Sequence, residues 1–145
     1  MNGIPHFESL AALGLALALG ALIGLERQWR RHPAGLHTNA LIALGSAVYM
    51  TAVGSGGDSS ARVMAQITTG VGFLCAGMIM REGATIRGLN TAATAWCSAA
   101  VGVLCGARQF PLALGAAGVI LAGNILLHWL EHDLLRWPTD GGKPE

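Results

Sequence analysis

The sequence predicts an all-α fold, an integral membrane bundle of five transmembrane helices. Five apolar stretches fill nearly all of the 145 residues, and a helix of about 20 mostly apolar residues crosses a hydrocarbon core of about 30 Å. Charged residues make up only 12% of the chain, against about 25% in an ordinary soluble domain. The apolar stretches cover residues 10–25, 40–54, 63–80, 89–107 and 110–130.

The first stretch is predicted to be a retained helix. Positive charges follow its apolar core and none precedes it, which is the reverse of a cleaved signal peptide. Glu26, Arg27 and Arg30 lie directly behind that core. The second stretch is long enough to span when it is counted from Leu36, since no charged residue lies between Leu36 and Gly54. The third, fourth and fifth stretches have spanning length as they stand.

Loop charges predict the orientation, because cytoplasmic loops carry an excess of Lys and Arg. Seven Lys and Arg residues follow the first, third and fifth stretches, and two follow the second and fourth. This bias predicts an N-terminus outside and a C-terminus in the cytoplasm, and an odd number of helices agrees with it. Residues 1–130 then form a transmembrane domain, and residues 131–145 form a short cytoplasmic tail.

Glycine content predicts close helix packing. The chain has 21 glycines, roughly twice the usual share of about 7%. In lipid, helices associate through close approach at small residues and through interhelical hydrogen bonds. Packing within one chain and a self-association face of a homodimer stay open as alternatives. The glycines assigned to packing are Gly20, Gly24, Gly70, Gly72, Gly77, Gly102 and Gly106.

Polar residues form a stripe on each of three predicted helices. Such residues are costly at membrane depth unless they face protein or water, so we expect the three stripes to converge. The alternative is a set of separate interhelical hydrogen bonds, with the charges at helix ends solvated. The stripes are Arg62, Gln66, Thr69, Gly70 and Gly77 on the third helix; Asn90, Thr94, Cys97 and Ser98 on the fourth; and Asn124, His128 and Glu131 on the fifth.

Composition and motif content argue against several classes of function. The net charge of +1 offers no basic surface for nucleic acid. The three cysteines lie inside apolar stretches, where packing is their expected role, and no cysteine–histidine cluster has the spacing of a zinc site. Neither a nucleophile–base pair nor a phosphate-cradling loop motif is present. We therefore expect no enzyme, no metal site and no cofactor.

Three short segments are more specific than a hydropathy pattern requires: residues 24–28 leading to 34–38, residues 62–66 running on to 70–77, and residues 87–94. These segments resemble motifs of the MgtC/SapB family of bacterial membrane proteins. The family pattern reads IGxER, AGLRT, RxAAQ followed by GFLGAG, and RGLNTAAT with a tryptophan two residues on. The resemblance extends over residues 10–130, the whole predicted membrane region. The matching segments are residues 23–27, 34–38, 62–66, 73–77 and 87–94 with Trp96.

The resemblance implies a regulatory protein of the bacterial inner membrane, linked to low-magnesium adaptation and to virulence. It implies a multi-pass protein in the lipid bilayer that binds other membrane proteins, with the F-type ATP synthase as a candidate partner and a homodimer as a candidate assembly. The positions that the resemblance carries over as functional are Glu26, Arg27, Thr38, Arg62, Gln66, Asn90, Thr91 and Thr94.

The sequence departs from the family pattern at several positions. His37 stands where the family has arginine, so a fixed charge is replaced by a titratable one; Met64 and Cys75 replace alanine and glycine. The resemblance does not extend to the soluble C-terminal domain that follows the membrane region in MgtC-type members. A naturally short chain and a truncated one both fit this difference.

A small oligomeric transporter or channel for Mg²⁺ or another ion is the alternative to a regulator. Mg²⁺ is usually held by one or two carboxylates together with waters, and no Asp or Glu lies deep inside a predicted span. This argues against a carboxylate-lined pore. A neutral path of Asn, Thr and Gln side chains through an oligomer remains compatible with the sequence.

Overall fold

The computed structural model describes residues 4–54, 57–82 and 84–133. The chain is a helical bundle, as predicted, with one two-stranded hairpin added. The predicted boundary at residue 130 falls inside the last helix, and residues 134–145 of the predicted tail lie outside the described residues. The elements are α1 (Ile4–Trp29), α2 (Leu36–Val53), α3 (Asp58–Gly77), β1 (Met80–Glu82), β2 (Thr85–Arg87), α4 (Leu89–Gly106) and α5 (Phe110–Asp133).

Four of the described helices, α1, α2, α4 and α5, are long and apolar enough to cross a membrane. Because α3 is not among them, the prediction of five apolar spans is only partly met. The reason is composition: α3 begins at Asp58, ahead of the predicted stretch, and Arg62, Gln66 and two threonines interrupt its apolar residues. Its 20 residues still give it the length of a span, about 30 Å at 1.5 Å per residue.

A short hairpin, for which the sequence carries no clear signal, separates α3 from α4. Its strands pair antiparallel with Met80 opposite Arg87, whereas Met80 was expected in the third helix. That helix ends at Gly77, and α4 begins after Gly88, whose φ of 92° is left-handed. A side chain at Gly88 would collide with the Met78 carbonyl. Glycine therefore allows α4 to begin beside the end of α3.

Helix α2 lies between α1 and α4, and glycines let both neighbours approach its backbone. A Cβ atom at Gly20 of α1 would lie 2.6 Å from the Asn39 carbonyl oxygen, and one at Gly106 of α4 would lie 2.6 Å from the Ala47 carbonyl oxygen. A larger residue at either position would force the helices apart. Gly24 and Gly102 meet α2 in the same way.

Helix α3 is attached to this three-helix unit along one side. Ile67, Val71 and Cys75, spaced four residues apart, pack against a cluster that includes buried alanines of α4. The Cys75 thiol also donates a hydrogen bond to the Ala92 carbonyl at 3.2 Å. These contacts use the apolar side of α3, so its polar side faces away from α4.

The opposite side of α3 is exposed among the described residues, and we call it the α3 outer face. A Cβ atom placed at Gly70, Gly72 or Gly77 would find nothing within 4 Å. The seven glycines assigned to packing therefore divide into four that press against α2 and three that stand open. The residues of the α3 outer face are Arg62, Gln66, Thr69, Gly70, Phe73 and Gly77.

The connections lie at two ends of the bundle. At the Glu8 end, Arg108 between α4 and α5 forms an ion pair with Glu8 at 2.6 Å. At the Arg27 end, the last turn of α1 contacts the first turns of α4, and the rings of His32 and His128 lie edge to face, with 6.4 Å between their centres. Helices that follow one another in sequence run in opposite directions, and α3 extends beside α4 for most of its length.

Candidate functional site

Arg27, in the last turn of α1, is buried, with 2% of its surface exposed. Its guanidinium donates from Nη1 to Thr94 Oγ1 at 3.0 Å and from Nη2 to Thr91 Oγ1 at 2.9 Å. The two threonines stand three residues apart near the start of α4, so they share one face of that helix. Three of the predicted functional residues thus meet and join the ends of α1 and α4.

A second set of hydrogen bonds joins α4 to α2. The Ser98 hydroxyl, one turn along α4 from Thr94, donates to Asn39 Oδ1 at 2.9 Å. The Asn39 amide donates back to the carbonyls of Ala34, at 2.7 Å, and Gly35, at 3.0 Å. Ala34 has a positive φ of 55°, which is costly for a residue other than glycine. The Asn39 side chain therefore fixes an unfavourable turn directly before α2.

A cavity of about 160 Å³ lies at the Arg27 end, between α1, the start of α4 and α5. Two nitrogen atoms of its lining residues, Nε of Arg27 and Nδ2 of Asn124, are buried without a hydrogen-bond partner among the described residues. An unsatisfied buried donor costs about 1–3 kcal/mol. The cavity is also lined by Glu26, Arg30, His32, Asn90, Leu127 and His128.

Positive groups predominate on the wall of this cavity. Glu26 forms an ion pair with Arg30 at 2.5 Å, while the described hydrogen-bond acceptors of Arg27 are neutral hydroxyls. Burial, and after it the nearby Arg27, lower the pKa of His32 below its ordinary value, and Glu26 opposes the shift. The His32 imidazole is therefore neutral at pH 7 and offers one donor and one acceptor.

Five of the eight predicted functional residues meet at the Arg27 end. Arg62 and Gln66 lie elsewhere, on the α3 outer face, and Thr38 is half-buried in the first turn of α2. Asn90 is exposed and contributes to the mouth of the cavity. The five residues that meet are Glu26, Arg27, Asn90, Thr91 and Thr94.

The three polar stripes converge only in part. The stripe of α4 lies against Arg27 and α2, and Asn124 and His128 of α5 line the same cavity. The stripe of α3 lies on its outer face instead, because α3 uses its apolar side to contact α4. The side chain of Glu131, the third member of the α5 stripe, lies outside the described part of the chain.

Two residues of the site, Asn39 and His32, were not singled out from the sequence. Asn39 does carry a signal: it precedes Ala43 by four residues and Ala47 by eight, in a row of small residues that helix periodicity places on one face. A single amide in such a row indicates an interhelical hydrogen bond. His32 carries no comparable signal, since its position depends on the conformation of the connection between α1 and α2.

Metal coordination finds no support at this site. Within the part of the chain that the structure describes, no group of three His, Cys, Asp or Glu side chains could hold a metal ion. The two unsatisfied buried nitrogens, of Arg27 and Asn124, are N–H donors, which do not coordinate cations.

Sequence comparisons cover the whole of this region. A sequence profile of the MgtC family matches residues 13–133. Protein MgtC of Salmonella typhimurium is 57% identical over 124 residues, which are 85% of this chain and 52% of that protein. Protein MgtC of Brucella abortus is 53% identical over 125 residues, with shares of 85% and 52%. An uncharacterized protein of Synechocystis is 51% identical over 126 residues, with shares of 86% and 54%. The chain spans about half the length of these relatives, and no solved structure is significantly similar to it.

Proposed function

We propose that this chain, which belongs to the MgtC family, regulates other proteins of the bacterial inner membrane by binding their transmembrane helices. The family prediction from the motifs is confirmed by the profile and the relatives. Action at low magnesium and in virulence belongs to the same proposal, because the family resemblance implies both. The α3 outer face is the observation that carries the binding role.

The α3 outer face combines small, polar and aromatic residues. Gly70 has open space around it, Gln66 is exposed, and Phe73 is 81% exposed. In lipid, helices associate by close approach at glycine and by hydrogen bonds between helices. Acyl chains offer no hydrogen-bonding group to Gln66, so a second helix satisfies this face better than lipid does.

A groove beside this face gives a partner helix a surface to fit. About 540 Å³ of open space separates α3 from α2. Gly45 and Tyr49 of α2 form one wall, and Gly70 and Leu74 of α3 form the other. A row of side chains on a partner helix can enter such a groove, and the glycines on both walls allow its backbone to come close.

We also propose that α3 crosses the membrane together with the other four helices, with the N-terminus outside and the C-terminus in the cytoplasm. The antiparallel course of α3 beside α4 supports this arrangement. The charge bias supports the orientation, since seven of the nine Lys and Arg residues follow the first, third and fifth apolar stretches. A partner would then meet the α3 outer face within the bilayer.

The F-type ATP synthase is the first partner to test, because the family resemblance implies it. The full chain would carry the photoreactive amino acid p-benzoylphenylalanine in place of Phe73, in living bacteria grown at low magnesium. We expect an adduct with a membrane-embedded subunit of the synthase. The control carries the same group in place of Val119, which is 73% exposed on α5 and should give none.

A matched pair of variants tests whether close approach matters. Gly70→Leu should lower the adduct yield at least about fivefold, while Gly118→Leu, on an open side of α5, should leave it within about twofold. No adduct with any membrane protein from position 73 would remove the proposed mechanism. If the reconstituted chain instead carried Mg²⁺ into vesicles, and Asn90→Leu abolished that flux, the transport alternative would replace it.

A further inference from the structure

We infer that the partner helix that covers the α3 outer face carries an Asp or Glu whose carboxylate pairs with Arg62. This inference rests on the proposed function, because it states the chemistry of the partner that the face binds. Three features of α3 support it: an exposed arginine that the chain leaves unpaired, an unpaired glutamine one turn further along, and an open glycine one turn beyond that.

The polar side chains of α3 fall into two groups. The hydroxyls of Ser60, Thr68 and Thr69 each donate to a backbone carbonyl three or four residues earlier, at 2.9–3.0 Å. Arg62 and Gln66 are exposed, and their side chains form no hydrogen bond or ion pair with the residues that the structure describes. The two long polar side chains are therefore the ones that an external partner can satisfy.

Arg62 differs in this respect from the arginine nearest to it at the same end of the bundle. Arg108, which directly follows α4, forms an ion pair with Glu8 at 2.6 Å. Asp58 precedes Arg62 by four residues, a spacing at which opposite charges can pair on one helix, but no ion pair joins these two side chains in the structure. The positive charge of Arg62 is thus open to a negative charge from outside the chain.

The unpaired groups lie in a row along α3. Arg62, Gln66 and Gly70 are spaced four residues apart and share one side of the helix. Arg62 lies about 6 Å and Gln66 about 12 Å from the start of α3 at Asp58. In the membrane crossing proposed above, a phospholipid phosphate could reach Arg62, but lipid offers Gln66 no hydrogen-bonding group. A transmembrane helix can contact both side chains at once.

A carboxylate suits Arg62 better than a neutral acceptor does. A guanidinium stays protonated in proteins, and a charge that loses its water is costly unless an opposite charge is close. Charged residues in transmembrane segments accordingly pair with one another, and a guanidinium and a carboxylate can form two parallel hydrogen bonds. The space around Gly70 lets the backbone of a partner helix approach closely enough for such a pair.

The first experiment changes the charge of residue 62. The full chain carries p-benzoylphenylalanine in place of Phe73 in living bacteria, and the yield of the adduct with the partner is measured. Arg62→Glu places two negative charges together and should lower the yield at least about tenfold. Arg62→Gln removes the positive charge and should lower it about three- to tenfold. Arg62→Lys keeps the charge and should stay within about threefold of the parent chain.

Gln109→Glu is the matched control for Arg62→Gln, because each change makes the net charge more negative by one unit. Gln109 is exposed between α4 and α5, at the same end of the bundle as Arg62. The control should keep the adduct yield within about twofold of the parent chain. Every yield is divided by the amount of folded chain, and melting temperatures in detergent separate a lost contact from a lost fold.

The second experiment identifies the acid. Mass spectrometry of the adduct locates the partner residue bonded to position 73, which lies about 17 Å along α3 from Arg62. We expect an Asp or Glu about three turns away from that contact on the same partner helix. Replacing this acid with Arg should lower the yield about tenfold. Combining that change with Arg62→Glu should restore at least about half of the parent yield, because the pair is re-formed with its charges exchanged.

The outcomes separate this inference from the proposed function. If the adduct forms but Arg62→Glu leaves its yield within about twofold, partner binding stands and the acidic partner residue is wrong; lipid phosphate or water then satisfies Arg62. A captured helix without Asp or Glu near the expected position, or a charge exchange that restores nothing, overturns the inference in the same way. If the parent chain gives no adduct from position 73, the proposed function fails and this inference fails with it.

Discussion

The glycines of α4 and those of α3 share a sequence pattern but have different surroundings. Gly106 lies so close to α2 that a Cβ atom there would come within 2.6 Å of the Ala47 carbonyl oxygen, while Gly70 and Gly77 have nothing within 4 Å. The glycines of α4 pack against α2 in the interior of one chain. Those of α3 leave room on the surface that a separate helix could occupy. A glycine-rich helix in lipid therefore marks either an interior contact or an open face, and the neighbouring helices decide which.

The same division holds for the polar residues. Arg27 is 2% exposed and bonded to two threonines of α4, whereas Arg62 is exposed on α3. Ser98 bonds across to Asn39 of α2, whereas the Thr69 hydroxyl bonds to the Ala65 carbonyl of its own helix at 3.0 Å. Polar groups thus stabilise the three-helix unit internally, and on α3 they face outward.

The largest expected effect comes from filling a closed glycine position. Gly102→Leu would drive a side chain into the Ala43 backbone, so it should lower the free energy of unfolding by about 3 kcal/mol or prevent assembly. Gly72→Leu, on the open side of α3, should stay within about 0.5 kcal/mol. Thermal unfolding in detergent, followed by helical circular dichroism, measures both. If both variants lowered the free energy of unfolding by the same amount, the proposed difference between the closed glycines of α4 and the open glycines of α3 would be wrong.

The next largest effect separates the two arginines. Arg27→Met removes the hydrogen bonds to Thr91 and Thr94 and should lower the free energy of unfolding by about 2 kcal/mol. Arg62→Met should change it by no more than about 0.5 kcal/mol. Denaturation of both variants in the same detergent gives the comparison. If Arg27→Met leaves the free energy of unfolding unchanged, the hydrogen bonds of Arg27 do not stabilise the contact between α1 and α4.

A smaller difference is expected between two hydroxyls. Ser98→Ala removes a bond between helices and should cost about 1 kcal/mol, whereas Thr69→Ala should cost roughly half of that or less. A double-mutant cycle of Ser98→Ala with Asn39→Ala measures the coupling across α2 and α4 directly. A coupling energy near zero would contradict the interhelical bond.

The smallest expected effect is a pH dependence at the Arg27 end. Burial and the proximity of Arg27 lower the pKa of His32 in the folded chain, so the unfolded chain takes up the proton first as the pH falls. Stability should therefore decrease as the pH drops through about 6.5, the ordinary histidine value. His32→Gln should remove that part of the decrease. Melting temperatures of both chains between pH 8 and pH 5 test it, and parallel curves would argue against the shift.

Sequence patterns were sufficient for much of this molecule. Hydropathy located the five helices. Thr94 and Ser98 of the predicted α4 stripe are buried, as expected because polar residues are costly at membrane depth unless they face protein or water. The outward orientation of α3 could not be read in the same way, because its apolar and polar sides each make a plausible contact surface. Which side is buried depends on the fit to α4, a property of two helices together.

The remaining differences also depend on contacts between distant segments. The hairpin of β1 and β2 has six paired residues, too short a pattern to distinguish from a loop. The role of Asn39 depends on Ser98, 59 residues away, and the cavity at the Arg27 end requires α1, α4 and α5 to be assembled. Local periodicity carries no information about such distances, so these features emerged only in three dimensions.

The contrast between the closed α4 and the open α3 is tested most directly by one cross-linking measurement. A chain with p-benzoylphenylalanine at position 73 is compared with the same chain carrying Gly70→Leu, with both yields divided by the amount of folded protein. We predict that the Gly70→Leu chain has the same melting temperature as the chain with Gly70. We also predict that it loses most of its adduct with another membrane protein. The account would be contradicted if Gly70→Leu destabilised the chain as much as Gly102→Leu does, or if it kept its full adduct yield.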